Sequence, residues 1–247
     1  MTLLQTENVT RRFGGIVAVN EVSFSLEDGE ILGLMGANGA GKTTLFSMLA
    51  GNQAPSSGRI LLDGKPIQGL RPDQICRLGV ARTFQIVRPF PSMTVLENVM
   101  VGALFGRGHL RSRRAAEAAC HELLEQVGLD DRAGTPAAEL NLAGRKRLEI
   151  ARALSTDPRV LLLDEVLAGL NATEVSEALA MIAALHRSRK LSIIIIEHVM
   201  KALMRLSHRI VVLHEGSKLT EGEPHAVSQD PRVIKAYLGE HPHGAAA

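Results

Sequence analysis

One octapeptide constrains this chain more than any other feature. Gly36-Ala37-Asn38-Gly39-Ala40-Gly41-Lys42-Thr43 fits G-x-x-x-x-G-K-[ST], the pattern of a phosphate-binding loop. Such a loop needs a strand before it and a helix after it, and both are legible. Ile31-Leu32-Gly33-Leu34-Met35 is an apolar strand-like run, and Thr44-Leu45-Phe46-Ser47-Met48-Leu49-Ala50 reads as a helix. Free N–H groups at a helix start present partial positive charge to a polyphosphate. Glycines at Gly36, Gly39 and Gly41 let the backbone curl close to the phosphates with no Cβ in the way. Asn38 and Thr44 belong to the same cradle. Lys42 then reaches the β- and γ-phosphates, and the Thr43 hydroxyl is placed to ligate Mg²⁺.

The 247 residues suffice for a large core and one or two domains. Aromatic residues are only 3%, with no Trp and one Tyr, which argues against stacking platforms for single-stranded nucleic acid. A net charge of +2 does not by itself imply a polyanionic partner. Cys76 and Cys120 are far apart and in no metal-like spacing, as expected of reduced thiols in a cytosolic protein. The first seven residues carry no basic segment or long apolar stretch, so no secretory signal is visible. The longest purely aliphatic run, 193–196, is far short of a membrane span. The expectation is a soluble protein that meets a membrane only through a partner.

Apolar patterning predicts strands over 3–9, 22–26, 31–35 and 59–63, with Asp28-Gly29 and Asp63-Gly64 as turns. The centre changes to helical patterning. Thr94 and Glu97 have capping-box spacing ahead of an apolar face of Val95, Leu96, Val99 and Met100. Gly106-Arg107-Gly108 interrupts that helix. Further helices are expected over 112–127, ended by Gly128, and over 143–154. The last third alternates: strands over 160–164, 192–197 and 209–213, and helices over 171–187 and 199–206, the first opened by Asn171 and Glu174 at capping-box spacing. Alternation of this kind predicts an α/β fold with a mostly parallel sheet, an antiparallel β-rich part near the start, and an inserted α-helical subdomain. The expected organisation is one domain over 1–247. Its nucleotide-binding core is 1–85 with 156–247, and 86–155 is the helical insertion. Arg107, Arg111, Arg113 and Arg114 form a basic cluster in that insertion, read as a solvated face. The tail 241–247 has no core-forming pattern and is expected to fray.

The remaining chemistry sits at predicted strand ends. Val160-Leu161-Leu162-Leu163 delivers Asp164 and Glu165 to the end of a strand. Asp164 is placed to hold Mg²⁺, directly or through water. Glu165 suits a general base that polarises an attacking water. Ser192-Ile193-Ile194-Ile195-Ile196-Glu197 repeats the design and ends in His198, whose imidazole can donate to the γ-phosphate and order the water. Gln85, at the boundary between the first β-rich part and the helices, can sense Mg²⁺ and the γ-phosphate and pass their presence on. Catalysis is therefore expected of Glu165, His198 and Lys42, and metal binding of Thr43, Gln85 and Asp164.

In their order along the chain these motifs resemble the nucleotide-binding subunit of an ABC transporter. The resemblance covers roughly 3–239. The 36–43 loop matches Walker A, 161–164 with Glu165 matches Walker B, Gln85 the Q-loop and His198 the switch histidine. Phe13 lies where the family places an aromatic under the adenine, although as a residue before Gly14-Gly15 it reads equally as core packing. More narrowly, Gly79-Val80-Ala81-Arg82-Thr83-Phe84-Gln85, Met93-Thr94-Val95-Leu96-Glu97-Asn98-Val99, Arg147-Leu148-Glu149-Ile150-Ala151-Arg152, Ala168-Gly169-Leu170-Asn171 and the closing Pro231-Arg232-Val233-Ile234-Lys235-Ala236-Tyr237-Leu238-Gly239 are similar to ATPases of branched-chain amino-acid importers. That subgroup also serves urea and other small polar metabolites.

The resemblance implies ATP and Mg²⁺ as cofactors, transmembrane permease subunits as partners, and an indirect periplasmic or extracellular solute-binding protein. It implies a head-to-tail dimer, homomeric or with a second ATPase subunit, on the cytoplasmic face of the inner (plasma) membrane, and no nucleic acid. The family signature Leu-Ser-Gly-Gly-Gln falls on Leu140-Asn141-Leu142-Ala143-Gly144. Asn141 retains a donor for the partner's nucleotide and Ala143 stays small, whereas Leu142 replaces a glycine with bulk. Slow hydrolysis, or a second subunit with a standard signature, follows from that change. Val166 replaces the usual proline after Glu165, with a local effect expected. Two other readings stand beside transport. One is a soluble ABC-type ATPase acting on nucleic acid or ribosomes, which usually has two cassettes or long coiled-coil insertions. The other is a phosphate-loop kinase, which leaves Gln85, Glu165 and His198 unexplained together.

Overall fold

The computed structural model describes residues 1–83, 89–108, 110, 112–197 and 200–238. Its strands are β1 (Thr2–Phe13), β2 (Ile16–Glu27), β3 (Ile31–Met35), β4 (Ser57–Leu62), β5 (Lys65–Pro66), β6 (Val80–Arg82), β7 (Val160–Asp164), β8 (Ser192–Ile196), β9 (Arg209–His214) and β10 (Ser217–Gly222). Its helices are α1 (Lys42–Leu49), α2 (Pro72–Arg77), α3 (Val95–Phe105), α4 (Arg113–Val127), α5 (Leu142–Leu154), α6 (Ala172–Arg189), α7 (Met200–Leu206), α8 (Pro224–Gln229) and α9 (Pro231–Leu238).

Two sheets result. The larger has the order β10-β9-β3-β8-β7-β6, parallel from β9 to β6, with β10 antiparallel at the edge. The smaller is antiparallel, β2-β1-β4-β5. β3, β7 and β8 are buried along their whole length. This explains their unbroken apolar runs: a strand covered on both faces has no solvent side to pattern. Successive side chains still point to opposite faces. Ile31, Leu161, Leu163, Ile193 and Ile195 pack on one side with α3 to α7. Leu32, Leu34, Leu162, Ile194 and Ile196 pack on the other with α1 and the antiparallel sheet.

The helices start and stop where local chemistry directs. Thr94 Oγ1 accepts from Glu97 N at 3.1 Å while Thr94 N donates to Glu97 Oε2 at 2.9 Å, so the capping box forms and opens α3. Asn171 and Glu174 do the same for α6. Gly128 ends α4 in the left-handed conformation, φ 68°. α3, α4 and α5 pack on one another.

Ahead of α3, the 90–94 segment is tied down by one fully buried side chain. Asn98 Oδ1 accepts from Phe90 N at 2.8 Å, and its Nδ2 faces the carbonyls of Phe90, Met93 and Thr94. A buried polar group that loses its partner costs its desolvation energy. Asn98→Leu is therefore expected to lower stability by about 1–3 kcal/mol, measured as a shift in denaturant midpoint at unchanged m-value.

Strand and helix ends differ from the sequence expectations in identifiable ways. β1 continues to Phe13 and β2 starts at Ile16, because their hairpin goes on pairing, Arg11 with Val19, Arg12 with Val17 and Phe13 with Ile16, toward an exposed tip where no alternating apolar pattern is needed. β10 escapes a hydrophobic pattern because its residues are mostly half-exposed. The helix expected over 199–206 is described from Met200. The 241–247 tail lies outside the described residues, as do Gln85, Arg111 and His198.

Candidate nucleotide site

Register carries the site to one edge of the large sheet. Leu34 pairs with Ile196, and Ile196 with Asp164, so the ends of β3, β8 and β7 lie side by side. The next residues along each strand are the 36–43 loop, Glu197, and Glu165. Ligand sites of open α/β sheets form outside the carboxyl ends of the strands.

The loop's glycines answer to specific neighbours. A Cβ on Gly41 would lie 2.4 Å from the Ala18 carbonyl of β2, and Gly41 has φ 96°. One on Gly36 would lie 2.6 Å from the Leu213 carbonyl and 2.9 Å from Ala40 Cβ. Gly39, at φ 82°, is exposed and needs the left-handed conformation alone. Asn38 and Thr43 are exposed and Thr44 is half-buried. α1 starts at Lys42, so the first N–H groups of the helix have no intrahelical acceptor and face the loop. Lys42 is buried, and its Nζ donates to Gly36 O at 2.7 Å and Ala37 O at 3.0 Å. Burial pulls its ammonium below the ordinary lysine range, opposed by the charges of Glu165 and Asp164.

Asp164 is fully buried. Its Oδ2 accepts from the Arg82 guanidinium at 2.7 Å, and its backbone N donates to Thr83 Oγ1 at 3.0 Å. Among the described residues its Oδ1 has no hydrogen-bond partner. A buried orphan carboxylate oxygen costs energy and marks a place for a cation. The acid is therefore compatible with Mg²⁺. Sequence reasoning gave no role to Arg82, which also reaches Ser47 Oγ at 3.1 Å and lies over the Phe46 ring.

Glu165 takes a left-handed conformation, φ 51°, and is buried. Its backbone N donates to Ile196 O at 3.0 Å, and its carbonyl accepts from Lys146 Nζ at 2.7 Å. Glu197 Oε1 accepts from Leu167 N at 2.8 Å. Burial raises the Glu197 carboxyl to about 7, opposed by the Leu167 hydrogen bond and Lys146. Burial lowers the Lys146 ammonium, opposed by Glu197, Glu149, Glu165 and Asp164. Neither Lys146 nor Glu197 was singled out from sequence. The signal for Glu197 was present, a carboxylate closing an aliphatic strand, but for Lys146 there was none beyond a cation on a helix.

A match to the ABC transporter family model runs over residues 19–168, which includes the phosphate loop and both acids. The chain belongs to the ABC transporter family. A second match, to the branched-chain amino acid ATP-binding cassette transporter family, covers residues 217–243. The high-affinity branched-chain amino acid transport ATP-binding protein BraF of Pseudomonas aeruginosa is 43% identical over 251 residues, covering 96% of this chain and 98% of that protein. LivG of Escherichia coli, described in the same terms, is also 43% identical with the same coverage. Among solved structures, the ADP conformation of MJ1267, an ATP-binding cassette of an ABC transporter, superposes with TM-score 0.87 at 29% identity. It covers 97% of this chain and 100% of MJ1267.

Within this ABC cassette, the 140–144 segment forms the start of α5. Asn141 is the N-cap: its Oδ1 accepts from Gly144 N at 2.8 Å. Leu142 is exposed, and a Cβ on Gly169 would lie 2.9 Å from its Cδ2. Ala143 is half-buried beside it. Phe13 closes β1 at 42% exposure with the Arg11 guanidinium 4.7 Å from its ring centre, so it is not part of the core. Among the described residues, no helix is long and apolar enough to cross a membrane.

Proposed function

We propose that this chain is the ATP-binding and ATP-hydrolysing subunit of an importer for branched-chain or related small amino acids. The observation that carries the catalytic part is the shared sheet edge, which sets the 36–43 loop beside Asp164 and Glu165. Full-length similarity to BraF and LivG, with the match over 217–243, supports the cargo class.

In this reading Lys42 exchanges its two carbonyl partners for β- and γ-phosphate oxygens, joined by the N–H groups of Gly39, Gly41, Lys42, Thr43 and Thr44. Gly36 and Asn38 complete the cradle. Thr43, Asp164 and Gln85 would hold Mg²⁺, which would supply charge neutralisation for the transferring phosphoryl group. Glu165 is the general base, and His198 donates to the γ-phosphate and orders the water. The partner's copy of the signature, or that of a second ATPase subunit, closes over the nucleotide with Asn141 Nδ2, the small Ala143 and the N–H groups of its helix.

Closure moves the helical insertion 86–155 against the core formed by 1–85 and 156–247. A groove of about 680 Å³ lies between them, lined by Thr43, Cys76, Arg82, Val101, Glu149 and Arg152. It is bordered by Thr43 of the phosphate loop on one side and by the helical insertion on the other, and suits the transmembrane permease as the site where closure is passed on. A solute-binding protein on the far side delivers cargo to that permease, while the cassette stays peripheral on the cytoplasmic face.

Phe13 stacks on the adenine in this arrangement. Phe13→Ala is expected to raise the KM for ATP about tenfold with kcat little changed, since stacking on a base contributes about 1–3 kcal/mol. The reading as a whole is tested by ATP hydrolysis of the permease-bound complex, which is expected to rise when cargo-loaded binding protein is added. Hydrolysis indifferent to leucine, isoleucine and valine with their binding protein counts against the cargo class.

A further inference from the structure

We propose that Lys146 is a positioning residue for Glu165 and links it to the helix that contacts the partner's nucleotide. The proposal rests on the reading of Glu165 as the base and of the α5 start as the signature.

Glu165 holds a left-handed backbone conformation that residues with a Cβ rarely adopt. Such a residue keeps its conformation only where its surroundings fix it. Among the described residues, hydrogen bonds that hold it include Glu165 N to Ile196 O, Ala168 N to Glu165 O at 3.2 Å, and Lys146 Nζ to Glu165 O at 2.7 Å. The first two lie within the strand ends and the turn itself. Of these three, the Lys146 bond comes from a helix, α5. Lys146 is also buried, so its ammonium does not exchange that carbonyl for water.

α5 touches the turn twice. Leu142 and Lys146 are four residues apart, hence on one face of the helix. Leu142 Cδ2 abuts Gly169, and Lys146 holds the Glu165 carbonyl. The turn from 165 to 169 is thus gripped at both ends by one helical face. Leu142 sits at the exposed N-terminus of α5, the end turned toward the partner's nucleotide. A shift of α5 on engaging that nucleotide moves the Glu165 backbone in this chain's own site. The two nucleotide sites of a dimer are coupled through each chain's own α5, in addition to contacts across the interface.

The test uses the permease-bound complex and the variants Lys146→Met, Lys146→Arg, Glu165→Gln and Lys146→Met with Glu165→Gln. Lys146→Met is expected to lower kcat about tenfold or more, with KM for ATP within about twofold, because a misplaced base affects the transition state and leaves nucleotide binding intact. Lys146→Arg, which keeps a donor within reach, is expected to recover most of the loss. In the Glu165→Gln background, Lys146→Met is expected to change the residual single-turnover rate by less than about twofold, the non-additivity of groups that act as one unit. If the methionine variant does not fold, Lys146→Gln, polar but too short for the carbonyl, carries the same expectations. An unchanged kcat, or the same loss in both backgrounds, overturns the proposal while Glu165→Gln remains inactive. Wild-type turnover in Glu165→Gln itself overturns both the proposal and the reading of Glu165 as base.

Discussion

Glu165→Gln is expected to bind ATP as tightly as the parent and to hydrolyse it about a hundredfold or more slowly, since a positioned general base contributes about 10²–10⁴ in rate. The amide keeps the size of the carboxylate and its left-handed backbone is held by groups that the substitution does not touch, Ile196 O, Ala168 N and Lys146 Nζ. The loss therefore falls on kcat. Equilibrium binding of ATP and single-turnover hydrolysis separate the two quantities. A variant that still turns over at the parent rate removes Glu165 as the base. One that loses binding instead points to a collapsed loop beside Asp164.

Gly41→Ala is expected to abolish ATP binding at millimolar nucleotide while the chain still folds. Two independent costs act at this position. The residue sits at φ 96°, where a Cβ is strained, and that Cβ would lie 2.4 Å from the Ala18 carbonyl. Ala18 belongs to β2, which is anchored by pairing along β1, so it cannot retreat cheaply. The loop must move instead, and with it the N–H groups at the start of α1. Gly39→Ala provides the comparison. Gly39 has φ 82° but nothing within 4 Å of its Cβ, so only the conformational strain applies and a smaller loss is expected. Titration with ATP, read by calorimetry, measures both variants. Equal affinities in the two would mean that the β2 contact does not matter.

Local chemistry was legible and long-range pairing was not. Both capping boxes, the glycine stop at Gly128, and the buried strands β3, β7 and β8 all follow from contiguous residues. So does the α/β class, because strand–helix alternation admits few arrangements. The phosphate loop could be read because its context lies within twenty residues. The antiparallel hairpin of β1 and β2 runs past the apolar stretches because Thr10, Arg11 and Arg12 have no apolar rhythm, yet Arg11 and Arg12 pair with Val19 and Val17 of β2 and Thr10 with Ser57 of β4. β10 is set by the Glu215-Gly216 turn, with φ of 48° and 80°, more than by its own half-exposed residues. Arg82 meets Asp164 across 82 positions of sequence, and Lys146 meets Glu165 between two elements that no periodicity connects. Sequence marks such residues only as charges. Their burial, the property that gives them a role, arises from the assembled sheet and α5.

The central claim is that this cassette converts ATP hydrolysis into work on a membrane permease. The most direct test is to solubilise membranes of cells producing the tagged chain in mild detergent and identify what copurifies in stoichiometric amount. The account predicts polytopic membrane subunits, released when the groove that bears Val101 and Arg152 is altered, and ATPase activity that depends on them. Stoichiometric recovery with ribosomes or nucleic acid, and no polytopic partner, would contradict it.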